Sequence, residues 1–132
     1  MVSQSALEET DASAPNLDGL NAIYKSDFTE LKALSSPPQL VVDVTAAVVA
    51  LHLNAPVSDW NVCKQALGDS TILMSLKTMP QRMQDGKDFS KGLRQAKSIL
   101  DAGVTHGEVK RKSAACANLL LWLQAIVQVG GS

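Results

Sequence analysis

The last twenty residues, Ser113 to Ser132, contain no charged side chain. A helix of that length is about 30 Å long, enough to cross the apolar core of a bilayer. The same run can instead be enclosed by neighbouring helices on more than one side. Asn118, Gln124, Gln128 and the terminal glycines dilute it, and its strongly apolar part is only Leu119 to Val129. A buried helix explains the run better than a membrane span. The rest of the chain must then supply helices to cover it.

It reads as helical throughout. Leu20, Ile23, Tyr24, Phe28, Leu31 and Leu34 recur at three- and four-residue intervals, which predicts a helix over Leu17–Leu34. Pro37 and Pro38 end it, because a proline disfavours helical geometry in the residue before it. From Pro38 to Leu53 the only full charge is Asp43, which predicts the most buried helix of the fold. Its β-branched residues also suit a strand, but its length and the Ala46-Ala47 pair favour helix. Ser58 or Asp59 can cap a short helix carrying Trp60, Cys63, Lys64 and Leu67, and Gly68 stops it. Asp69 or Ser70 caps the next, with Ile72, Leu73 and Leu76 facing inward. Pro80, Gly86 and mixed charges make Met79 to Ser90 an expected exposed loop. Ser90 to Gly103 frames another helix, and Thr105 or His106 opens the last and longest, running to Val129. Glu108 stands three residues after Thr105, as in a capping box. No strand alternation or hairpin signal appears. The expected fold is all-α, a compact bundle of about six helices.

Composition narrows the function classes. The 132-residue chain is 45% apolar and 19% charged, with net charge −1. That suits one globular domain and argues against general attraction to nucleic acid or an anionic membrane. Met1 to Pro15 is polar and acidic, so residues 1–16 are expected to form a flexible segment, residues 17–129 the domain, and residues 130–132 a linker or an added scar. With no secretory signal pattern, the cytoplasm is the default compartment. Cys63 and Cys116 lack metal-ligand spacing and read as reduced core thiols. There is no phosphate loop, nucleophile elbow or paired His-Glu motif. No catalytic residue, metal or cofactor is therefore expected. A Cys116 nucleophile activated by His52 or His106 is the remaining enzyme alternative, and it requires a depressed thiol pKa. Trp60 and Trp122 read as core anchors.

The run Lys110-Arg111-Lys112 stands out. In the first turns of a long helix the dipole disfavours positive charge. Lys25 and Lys32 project from the first helix and Lys64 from the third. If these elements pack at one end, six cations gather on one face of a nearly neutral domain, a design suited to an acidic protein surface.

Three stretches in order resemble the microtubule-binding domain at the tip of the dynein heavy-chain stalk. They are Lys25 to Pro38, Asp59-Trp60 through Leu67-Gly68-Asp69, and Arg111 with Ser113-Ala114-Ala115 leading to Trp122. The match covers roughly residues 20–128 and also takes in Val41 to Leu53, Leu73, Leu76 and Lys77. The resemblance implies a six-helix tip carried on two antiparallel coiled-coil stub helices, here Leu17–Leu34 and His106–Val129. It implies a monomeric, non-enzymatic module that grips the cleft between tubulin subunits. In the family, tip affinity is set by sliding one stalk helix against the other. Lys25, Lys32, Lys64 and Arg111 fall on matching basic positions, and Lys110 and Lys112 extend the last. The wording Leu67-Gly68-Asp69 and Ser75-Leu76-Lys77-Thr78 is closer to axonemal dyneins, which implies the cytoskeleton of a cilium or flagellum. Pro15 and Gly19 depart from a continuous coiled coil, and the chain reads as an excised tip without the ATPase ring. The alternative reading is a helical adaptor that binds a partner protein through an apolar groove at Leu119–Leu123.

Overall fold

The computed structural model describes residues 18–131, so the expected flexible segment 1–16 lies outside them. A 3-10 turn at Asp18–Asn21 leads into seven α-helices: α1 Lys25–Lys32, α2 Gln39–Leu53, α3 Trp60–Leu67, α4 Ile72–Gln84, α5 Ser90–Asp101, α6 His106–Lys112 and α7 Ala114–Gly131. Among the described residues there is no strand.

The core forms around α2, which packs on α3, α4, α5, α6 and α7. Val41, Val44 and every residue from Thr45 to Leu51 are buried, so α2 is enclosed nearly all round. Its partner α5 approaches closely because residue 92 is glycine. A Cβ there would lie 2.5 Å from Leu51 Cα. Asn54 ends α2 in the left-handed conformation at φ 50°, which Asn tolerates better than most residues.

The charge-free C-terminal run is the other half of the core. Leu119, Leu120, Trp122, Leu123 and Ile126 of α7 are all at or below 1% exposure. α7 is covered by the 3-10 turn, α1, α2, α4, α5 and α6. Among the described residues no helix is long and apolar enough to cross a membrane.

Three expectations need correction. The first helix is not continuous over Leu17–Leu34: the 3-10 turn stops at Asn21 and α1 starts at Lys25, with Tyr24 extended between them at φ −124°, ψ 158°. The last helix is not continuous from His106 either, because Ser113 is extended at φ −163°, ψ 120° and separates α6 from α7. That split takes the bundle from six helices to seven. Most of the expected loop at Met79–Ser90 is helix, since α4 runs to Gln84 through Pro80. Proline removes one backbone bond, but Leu76 and Met79 in the turn before it are fully buried and hold the helix in place. The true loop starts at Asp85 and turns at Gly86, where φ is +96°.

Candidate functional site

α6 is short and well capped. Glu108 N–H donates to Thr105 Oγ1 at 3.2 Å, and Thr105 N–H and hydroxyl donate back to Glu108 Oε1 at 3.2 and 3.0 Å. Val109 is its one buried residue, and Lys110, Arg111 and Lys112 are all exposed. Because Ser113 ends the helix, these cations occupy the last turn of α6 rather than the first turns of a long helix. Positive charge is favoured there. The run therefore costs no helix stability, and what remains unusual is its concentration.

Lys25 and Lys32 stand at the two ends of α1, and both are exposed. They border a groove of about 250 Å³ floored by Phe28, Leu67, Ile72 and Leu73. The Lys32 stem lies beside Gly68 at the corner between α3 and α4. Lys64 is half-buried in the last turn of α3, whose first turn is capped by Asp59 accepting from Asn61 N–H at 2.9 Å. Trp60 Nε1–H donates to Leu34 O at 3.2 Å and ties α3 to the end of α1. The helices α1 and α3 that carry these cations pack directly on each other, while α6 is seated on α7 and α2.

Two features escaped the sequence reading. Asp27 is buried and accepts from Tyr24 N–H at 2.8 Å and from Asn118 Nδ2 at 3.1 Å, joining the start of α1 to the first turns of α7. Its signal was present: a lone Asn within an apolar run needs a polar partner. The second is a chain of polar contacts at the end of α2. His52 Nδ1 lies 2.8 Å from Ser75 Oγ, and His52 Nε2 faces Asp69 Oδ2 at 3.5 Å. Arg82 Nη2 donates to Ser75 O at 2.6 Å and to its hydroxyl at 3.1 Å, and the guanidinium lies over the Phe89 ring. The Thr71 N–H and hydroxyl, followed by His52, hold the Asp69 carboxyl below the usual range.

The thiols do not form a catalytic site. Burial pushes Cys116 up to about 12, and burial together with the nearby Asp59 charge pushes Cys63 to about 11. Cys116 sits against Thr45 Oγ1 at 3.9 Å and Val41 O at 3.8 Å. A nucleophile needs the opposite shift. Among the described residues no group of three His, Cys, Asp or Glu side chains could hold a metal. The apolar groove of the adaptor reading is also missing, since Leu119, Leu120, Trp122 and Leu123 are core residues. Trp122 anchors that core as expected, whereas Trp60 is only half-buried.

The family model for the microtubule-binding stalk of the dynein motor matches residues 4–130. This chain belongs to that family. It is 32% identical over 112 residues, 79% of its length, to the dynein beta chain of the flagellar outer arm of Chlamydomonas reinhardtii. It is 28% identical over 125 residues, 95% of its length, to the dynein-1-beta heavy chain of the flagellar inner arm I1 complex of the same organism. Human dynein axonemal heavy chain 6 is 31% identical over 102 residues, 77% of the chain. The chain spans about 2% of the length of each of these relatives. No solved structure matches it at comparable significance.

Proposed function

We propose that this microtubule-binding stalk domain docks on tubulin through Lys25 and Lys32 of α1, Lys64 of α3, and Lys110, Arg111 and Lys112 of α6. The observation that carries this reading is the exposure of the α1 and α6 cations, none with a carboxylate of the described residues within ion-pair distance. An acidic surface can reach them without displacing an internal partner. The domain works as a monomeric module, with no part in nucleic-acid or membrane binding, and the ATPase of the parent motor lies elsewhere in the heavy chain. The flagellar and axonemal relatives support a place on the cytoskeleton of a cilium or flagellum.

The outgoing stalk strand is α7, and the 3-10 turn packed on it is part of the incoming one. Sliding between these strands sets affinity through the junction where Asp27 and Asn118 meet. Co-sedimentation with polymerised tubulin across a salt series tests the docking face. Binding is expected to fade as salt rises, because surface charges are screened beyond about 8 Å at physiological ionic strength. Salt-independent binding, or no binding with the two strands cross-linked in any register, would reject it.

A further inference from the structure

The turn between α1 and α2 carries the one serine or threonine of the sequence that is followed by proline, Ser36-Pro37. Ser35 and Ser36 are exposed, and residues 35–37 make no hydrogen bond among the described residues. The segment is nevertheless held at both ends. On one side Leu34 packs against the core, and its carbonyl accepts from Trp60 Nε1–H at 3.2 Å. On the other, Pro38 stands extended at φ −57°, ψ 152°, and its carbonyl accepts from Val42 N–H at 3.1 Å to open α2. Pro37 biases Ser36 towards an extended backbone as well. Ser26, Ser90 and Ser98 are also exposed, but they lie within helices, where the backbone is already committed.

A protein kinase takes its substrate as a short extended strand, and every native hydrogen bond broken to supply that strand counts against the complex. Residues 35–37 have none to break. Pro37 has no N–H, so it suits a cleft that offers no acceptor at the position after the reacting serine.

We propose that Ser36 is a phosphorylation site for a proline-directed protein kinase, and that the phosphate loosens the domain's grip on the microtubule. The second half rests on the proposed function above. The transfer forms a bond between Ser36 Oγ and the γ-phosphorus of ATP. It breaks the bond from that phosphorus to the bridging oxygen, which leaves with ADP, and the hydroxyl proton passes to the kinase's catalytic carboxylate. The product carries about −1.5 to −2 charge at neutral pH. Lys32 stands four residues earlier, no more than about 14 Å of extended chain away. Lys64 follows Trp60, which is bonded to the same turn, by one helical turn. The new charge therefore sits among docking cations and faces the acidic surface they attract. The fold has a place for it, because α2 begins with no side-chain cap and no acidic residue in its first turn, and such a helix end favours an anion.

Two measurements test this, with circular dichroism following the fold of each form. In the first, the folded chain is incubated with a purified proline-directed kinase and labelled ATP, and the label is located by mass spectrometry. The wild type is expected to take one phosphate at Ser36, whereas Ser36→Ala and Pro37→Ala take none there. An unlabelled Ser36 in the folded wild type, whether or not a peptide of residues 31–41 is labelled, would overturn the site. Undiminished labelling of Pro37→Ala would overturn the kinase class. In the second, phosphorylated and untreated chains are co-sedimented with microtubules. Phosphorylation is expected to weaken binding about threefold at low salt, with the ratio shrinking as salt rises and the helical signal unchanged. Kinase-treated Ser36→Ala is expected to bind as the untreated wild type does. Equal affinity of the two wild-type forms, or weakening that comes with lost helix, would overturn the charge effect. Failure of both forms to bind would reject the docking function, while the labelling result would stand.

Discussion

The chain breaks its helical path once on entering the bundle and once on leaving it, and the two joints are built differently. The entering joint takes three residues between Asn21 and Lys25. Its Tyr24 side chain is 63% exposed, and its N–H is held by a carboxylate from the following helix, Asp27. The leaving joint is a single residue. Ser113 is 9% exposed; its N–H donates to Val109 O at 2.8 Å to close α6, and its Oγ accepts from Cys116 N–H at 3.1 Å to open α7. Ser113 therefore serves as the end cap of one helix and the start cap of the next. The entering joint depends on a long-range partner as well, because Asn118 holds the other oxygen of Asp27. A joint whose capping carboxylate is anchored across the bundle can report on the position of α7, whereas one capped by its own hydroxyl cannot.

Asp27→Ala should be the most damaging test of this contrast. It strips both Tyr24 N–H and Asn118 Nδ2 of their partner in a largely buried setting, a loss of about 3 kcal/mol readable by urea unfolding. Asn118→Ala should cost less, and the double variant should fall short of the sum by at least about 0.5 kcal/mol, since the residues share one bond. Full additivity would mean that the entering joint is not coupled to α7. Gly19→Ala should follow, at about 2 kcal/mol, because the new methyl would press on the Leu121 carbonyl and push the 3-10 turn off α7.

Ser113→Ala should cost about 1 kcal/mol, the ordinary loss of a start cap, and Ser113→Gly only a few tenths. The Cys116 thiol, one turn beyond, provides a local readout. It should resist alkylation at pH 8 in the wild type and react faster in Ser113→Ala. Its folded pKa is raised by burial from the ordinary thiol value of 9.0 to about 12. Burial of the neutral thiol thus contributes stability that is complete below pH 9 and is lost as pH rises towards 12, so alkaline unfolding should fall in that window. Arg111→Glu should have the smallest effect on stability, within about 0.5 kcal/mol, because the side chain is exposed and has no ion-pair partner among the described residues. Its effect belongs in microtubule affinity, and unchanged affinity would remove Arg111 from the docking face.

Much of this architecture is local and could be read from the residues. Thr105 and Glu108 form the capping box their spacing announced, and Asp59 caps α3. The near-absence of charge in α2 and α7 translated directly into burial, because apolar side chains without a polar face must be enclosed. The basic positions were visible as well, although the helix end they occupy was not.

What the residues alone could not supply are the interruptions. Leu17 to Leu34 keeps a helical period straight through Tyr24, and nothing local marks Ser113 as a stop. The entering break depends on groups brought together across the bundle, since Asp27 and Asn118 are 91 positions apart, whereas Ser113 caps both of its helices through neighbours in sequence. The opposite error occurred in α4, where Pro80 reads as a breaker and burial of Leu76 and Met79 overrides it. Periodicity and caps are encoded within a few residues of one another. Where a helix must bend to let its neighbours meet is set by packing, and the cation run of α6 lies at a favourable helix end only because the chain bends at Ser113.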